Sequence, residues 1–236
     1  MTTFARNLVA LLRDFIYPPL CFVCQRRMDN ADARVCAECW SSFPPFRGSD
    51  AVGLELHHRF MENGAIADFL SCYYFEKEGR LQEVIHLLKY GGVRSMGVML
   101  GRDVGRLMLQ RREYSEADCI VPVPLHKLKQ RERGFNQSEM ICVGISEVTG
   151  IPVNAKLIAR TKYTASQTKL TLRERAMNVN DAFAIVPHRQ DCVKEKKIIL
   201  VDDVITTGST IGACATVLVK AGAKVVLAAS TAVAQR

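Results

Sequence analysis

Residues 196–210 read Lys-Lys-Ile-Ile-Leu-Val-Asp-Asp-Val-Ile-Thr-Thr-Gly-Ser-Thr, and no other stretch narrows the possible folds as far. An apolar run, Ile198 to Val201, ends in two adjacent carboxylates, Asp202 and Asp203. A loop of small residues follows: Thr206, Thr207, Gly208, Ser209 and Thr210. A helix-like segment then opens at Ile211. A helix N-terminus leaves its first N–H groups without intrahelical partners, and its dipole makes that end positive. The two together make an anion site. Gly208 allows a positive φ and a close backbone approach. The hydroxyls of Thr206, Thr207, Ser209 and Thr210 add donors. Two carboxylates beside a phosphate would repel it unless they face another group. Ionised carboxylates only accept hydrogen bonds, so vicinal sugar hydroxyls are their natural partner. A sugar phosphate satisfies both halves, and an ordinary strand–turn–helix is the alternative. No Gly-Lys-Ser/Thr closes the loop, which separates it from a Walker A loop.

The second signal is cysteine spacing. Of nine cysteines, four form two C-x-x-C turns, Cys21/Cys24 and Cys36/Cys39. Two such turns complete a tetrahedral thiolate site, which reads as structural zinc, with an iron–sulfur cluster or a degenerate site as alternatives. Four protein ligands leave no open position for catalysis. The other five, Cys72, Cys119, Cys142, Cys192 and Cys214, read as small core residues.

Composition is that of a globular protein, with 48% apolar and 24% charged residues. The longest apolar run near the N-terminus, Leu8 to Leu12, is too short for a signal peptide core or a membrane span. It reads as a short amphipathic helix ended by Pro18-Pro19. A cytoplasmic protein is expected. The net charge of +8 is concentrated in residues 121–175, where ten Lys/Arg face four Asp/Glu. Such an excess points to polyanionic partners. A pyrophosphate pocket, a nucleic-acid track and a solvated basic face all fit it.

The expected organisation is residues 1–46 as helix and cysteine module, 47–70 as linker with a short helix, and 71–236 as the main domain. Strand-like runs at 72–75, 120–121, 157–159, 182–186, 197–201 and 224–229 alternate with helical periodicity over 81–88, 96–108 and 136–148. A helix at 171–177 is also expected. Alternation of this kind predicts an α/β fold with a central, mostly parallel sheet flanked by helices.

The loop 202–210 resembles the phosphoribosyl-pyrophosphate loop of type I phosphoribosyltransferases, acidic-acidic-x-x-Thr-Thr/Ser-Gly-x-Thr. Three stretches extend the likeness: Val84 to Gly92 (VIHLLKYGG), Val121 to His126 (VPVPLH) and Arg131 to Gln137 (RERGFNQ). The spaced pattern from Arg160 to Asn178 is similar to the mobile loop of amidophosphoribosyltransferases. With the four-cysteine module in front, the chain resembles the ComF family of competence-associated proteins.

That resemblance implies a type I phosphoribosyltransferase-like fold and a set of roles. Asp202 and Asp203 would hold the ribose hydroxyls, and Thr206 to Thr210 the 5′-phosphate. Pro124, Leu125, His126 and Lys127, with Arg131 and Arg133, would face the pyrophosphate. Thr164, Gln167 and Arg175 would belong to a lid. Mg2+ would ride on the pyrophosphate. A transferase also needs an acceptor pocket, whose hood would have to come from residues 47–110. No glutaminase nucleophile stands at the N-terminus, since Cys21 sits in a metal-type pair. Two functions follow: phosphoribosyl transfer to an unidentified acceptor, or non-enzymatic holding of single-stranded DNA alongside the uptake machinery, with phosphoribosyl pyrophosphate as a ligand switch. Phe135 and Tyr163, the aromatics inside the basic region, are a weak endowment for base stacking.

Overall fold

The computed structural model describes residues 18–29, 33–161 and 182–235. Four parallel strands form the central sheet, in the order β1–β6–β5–β2. They are β1 (Asp68–Phe75), β2 (Cys119–Pro122), β5 (Lys197–Ile205) and β6 (Val225–Ala234). β5 and β6 are central and mostly apolar along their length, as expected for strands covered on both faces. This is the α/β architecture that the alternating pattern predicts. The strands β3 (Ile158–Arg160) and β4 (Phe183–Ile185) do not join it, and pair antiparallel with each other. Nothing in the sequence pattern assigns them a separate sheet.

Each face of the sheet carries its own apolar cluster. On one, Ile199, Val201, Leu227 and Ala229 meet helices α3 (Arg80–Tyr90), α4 (Arg94–Leu109) and α7 (Gln137–Thr149). On the other, Ile198, Leu200, Val226 and Ala228 meet α2 (Ala51–Asn63) and α8 (Ser209–Lys220). Short helices α1 (Ala37–Ser41), α5 (Arg112–Ser115) and α6 (Lys127–Arg133) complete the described elements, with one 3-10 turn at Gln190–Cys192. Among the described residues no helix is long and apolar enough to cross a membrane.

Helices α4 and α7 touch backbone to backbone. A Cβ on Gly101 would lie 2.1 Å from the Ile141 carbonyl oxygen, and one on Gly144 would lie 2.0 Å from that of Val98. Two side-chain-free positions thus let α7 seat deeply, which fixes where its N-terminus emerges. Asn136 caps that end by accepting from the Ser138 N–H at 3.1 Å. Its amide donates to the Val123 carbonyl at 3.0 Å. The cap therefore ties α7 to the loop after β2.

Three expectations need correction. The stretch 47–70, read as linker and short helix, holds the 13-residue α2 and the start of β1. Asp50 caps α2 by accepting from Gly53 N–H at 2.9 Å, while Leu56 and Phe60, one turn apart, are buried; the His57-His58 pair is exposed. Cys192 is exposed rather than in the core, because it sits in the 3-10 turn. The strand β5 does not stop before the acids but runs through them to Ile205. The expected helices at 8–12 and 171–177 lie outside the described residues.

Candidate functional site

The acid pair lies near the carboxyl end of β5, where open α/β sheets bind their ligands. The sheet itself opens the space beside it. β2 pairs with β5 only from Cys119↔Ile198 to Pro122↔Val201. The Val123 N–H makes the last bond, to the Val201 carbonyl at 2.8 Å. The chain then leaves at Pro124, just where Asp202 begins.

A cleft of about 90 Å³ fills this gap. Among its lining residues are Pro124, Leu125, Arg133, Asp202, Asp203 and Thr210, all singled out by the sequence. Asn136, Gln137, Ser138 and Arg160 join them. Gly208 has φ 76° and precedes α8. A Cβ there would lie 2.7 Å from the Phe60 ring, so α2 leans directly on the loop. Arg59 of α2 also donates to the Thr207 carbonyl at 3.4 Å. Thr207 and Ser209 hydroxyls hydrogen-bond each other at 2.9 Å, and the exposed Thr206 lies just before them.

Asp202 accepts from the Asp203 N–H at 2.9 Å and the Ser138 hydroxyl at 3.2 Å. Burial, then the charge of Asp203, push Asp202 up to about 7. Asp203 accepts from the Val204 N–H at 2.7 Å and is held by the Lys89 ammonium at 2.7 Å. Thr231 donates to its carbonyl.

The cations around the cleft differ from those expected. Lys127 and Arg131 are exposed on α6 and do not line the cleft. Their helical spacing turns them to solvent, whereas Arg133 turns inward. His126 caps α6, accepting from the Leu128 N–H at 3.2 Å. Arg133 donates to the Gln137 amide oxygen at 2.9 Å and lies over the Tyr90 ring at 5.4 Å. Among the described residues its Nε is buried with no hydrogen-bond partner. Burial, then the charges of Arg133 and Arg160, hold Lys129 below the usual lysine range. Lys89 therefore holds Asp203 directly, Arg133 and Arg160 line the cleft beside the acid pair, and Lys129 lies within the field of all three. Sequence reasoning gives Lys89, Lys129 and Ser138 no role of their own. Lys89 stands inside the VIHLLKYGG stretch, but nothing local marks a contact with a residue so far along the chain. Thr164, Gln167 and Arg175 lie outside the described residues.

The four cysteines do converge. Their sulfurs all lie within 4.8 Å of one another, with Cys24 and Cys36 at 3.8 Å. A tetrahedron with Zn–S bonds of about 2.3 Å spaces its sulfurs by about 3.8 Å, so the set fits zinc. Burial raises the Cys21 thiol, yet the N–H groups of Cys24, Cys36 and Val23 outweigh it and bring it down to about 6. The module is docked through Trp40, whose indole donates to Asp103 at 2.7 Å; Tyr73 donates to the same oxygen at 2.7 Å. A larger cavity of about 710 Å³ lies between this module and α4. Of its arginines, Arg102 and Arg106 are paired with Glu147 and Asp103, and size alone does not make it the site.

Residues 12–51 match the family described as the double zinc ribbon domain. Over 105 residues the chain is 34% identical to competence protein F of Haemophilus influenzae. Over 150 residues it is 33% identical to the DNA utilization protein YhgH of Escherichia coli. The chain is a homologue of these competence and DNA-utilization proteins. Competence protein ComFC of Streptococcus pneumoniae is more distant in identity, 27%, but the match covers 87% of this chain and 83% of that protein. The ComF resemblance is thereby borne out. The matches span 45% of the Haemophilus protein and 64% of the Escherichia coli protein, and 44% and 62% of this chain. Among solved structures, the chain is similar to a glutamine phosphoribosylpyrophosphate amidotransferase from B. subtilis (TM-score 0.37, 23% identity, 56% of this chain, 26% of that one). It is also similar to a purine phosphoribosyltransferase from Pyrococcus horikoshii (TM-score 0.33, 20% identity, 54% of this chain, 68% of that one). Likeness of that extent is partial, and the site's chemistry rests on its own geometry.

Proposed function

We propose that the cleft binds phosphoribosyl pyrophosphate and that this ComF homologue transfers the phosphoribosyl group to an acceptor, as a cytoplasmic enzyme. The observation that carries the reading is the juxtaposition within one small cleft. Asp202 and Asp203 offer acceptors for vicinal hydroxyls. Thr210 stands at the start of α8, whose N-terminus favours a phosphate. Arg133 lines the same space.

In this reading the 5′-phosphate sits at Thr206 to Thr210 and the pyrophosphate lies toward Arg133, Lys129 and Arg160. Mg2+ suits such a ligand, because it binds through one or two carboxylates plus substrate phosphates. When bound it neutralises charge on the departing pyrophosphate. The protein's own cations stabilise that charge as it develops. The test is calorimetry with magnesium and phosphoribosyl pyrophosphate. Asp202→Asn with Asp203→Asn should abolish binding; unchanged affinity in the folded double variant rejects the reading.

The names of the relatives favour a second reading, single-stranded DNA binding in DNA uptake. Lys129, Arg133 and Arg160 would then serve phosphates, and the exposed Tyr90, its ring tilted against that of His86 at 4.9 Å, adds an accessible aromatic face, since Phe135 of the basic stretch is buried. Its mark in the same calorimetry is single-strand affinity that falls steeply with salt.

A further inference from the structure

If the cleft takes a sugar phosphate, Lys89 has a part in choosing which one, and its role depends on that reading. Lys89 closes the last turn of α3, and its ammonium lies 2.7 Å from Asp203 Oδ2. The two side chains are 22% and 14% exposed, so the pair is largely withdrawn from water. Asp203 Oδ1 already accepts the Val204 N–H, and Asp202 Oδ1 accepts the Asp203 N–H and the Ser138 hydroxyl. A sugar diol brings two O–H donors to this pair. To take Asp203 Oδ2 it must compete with an ammonium. Breaking a largely buried ion pair leaves an uncompensated charge, which is strongly unfavourable. Lys89, Arg133 and Arg160 each act electrostatically on Lys129, and Arg133 lies over the ring of Tyr90, the residue next to Lys89. An anion held among those cations is able to receive the displaced ammonium.

We infer that Lys89 determines specificity by coupling the two ends of the ligand. It yields Asp203 to the sugar hydroxyls only when a second anionic group, the diphosphate, takes over the ammonium. A sugar monophosphate satisfies the Thr206 to Thr210 loop but offers nothing to Lys89, so the acid pair stays closed to it. The site thereby selects a pentose bearing phosphate at both ends over one bearing phosphate at the 5′ end alone. No bond is made or broken in this step; one ion pair is exchanged for another.

The experiment compares ribose 5-phosphate with phosphoribosyl pyrophosphate, both with magnesium, by calorimetry on the wild type, Lys89→Met and Lys89→Arg. The wild type should prefer the diphosphate ligand. In Lys89→Met that preference should shrink by about tenfold or more, the scale of one hydrogen bond to a charged group. The shrinkage should include tighter ribose 5-phosphate binding, which loss of a simple attractive charge would not produce. Lys89→Arg should keep most of the preference. An unchanged ratio in folded Lys89→Met, or equal weakening of both ligands, overturns the coupling. Should Lys89→Met fail to fold, Lys89→Gln is read by the same criterion. A wild type that binds neither ligand rejects the sugar-phosphate reading itself, whereas a selective wild type with an unaltered ratio in the variants rejects the coupling alone.

Discussion

Asp202 shows how one residue's surroundings set its chemistry. Its carboxyl is raised from 3.8 to about 7, first by burial and then by the neighbouring Asp203 charge. A carboxyl raised on folding favours the native state while protonated. That contribution is complete below about pH 4 and disappears as pH rises through about 7. The ligand-free protein should therefore lose stability across that window, by on the order of a few kcal/mol at most. Urea unfolding of Asp202→Asn should show a flatter slope from pH 5 to 8 than the wild type. An identical slope would mean that Asp202 stays ionised throughout. The acids were legible in the sequence because two adjacent carboxylates after an apolar run are a local pattern. Their cationic partners were not. Lys89 of α3 holds Asp203 and Arg160 of β3 lines the cleft, and only tertiary structure selects Arg133 over Arg131 on the same short helix.

At the level of elements, the α4–α7 contact governs the site from a distance. A Cβ at Gly144 would sit 2.0 Å from the Val98 carbonyl oxygen and 2.8 Å from its carbon. Backbone cannot yield as a side chain does, so the helices must separate. Gly144→Ala should cost about 2–3 kcal/mol and lower Tm by on the order of 5–10 °C. Because α7 carries Asn136 and Ser138 into the cleft, ligand affinity should fall as well; calorimetry and thermal unfolding check both, and an unshifted Tm would refute the close contact. The helices α3, α4 and α7 could be read from apolar spacing, since each buries one stripe. Helix α2 was harder: Gly53 and the His57-His58 pair dilute its pattern, and only Leu56 and Phe60 reveal the buried face. The separate pairing of β3 with β4 was not legible, because a three-residue strand does not announce its neighbour.

Over the whole molecule, the ribbon and the sheet domain meet through Asp103. This carboxylate accepts from Trp40 of the ribbon, from Tyr73 of β1 and from Arg106 of its own helix. Trp40 is the sole tryptophan of the chain, so it reports on that joint. Zinc removal by a chelator should release about one metal per chain and shift tryptophan emission to the red, since structural zinc sites fold with their metal. Metal release with unchanged emission would show that the ribbon holds its shape by packing alone. The cysteine cluster and the parallel sheet were both visible in the sequence, the first by spacing and the second by alternation. How the two join was not, because Asp103 lies on a helix whose only written signal is apolar periodicity.

The unequal reach of two neighbouring strands sets how wide the mouth beside the acids can be. β2 bonds β5 no further than the Val123 N–H while β5 continues to Ile205, so the doorway arises from a ladder that stops short rather than from an inserted loop. Trimming or extending that ladder would resize the entrance and leave every charged group inside untouched. Selectivity for the bulk of an incoming partner and chemistry toward the sugar ester are, in this architecture, separate dials.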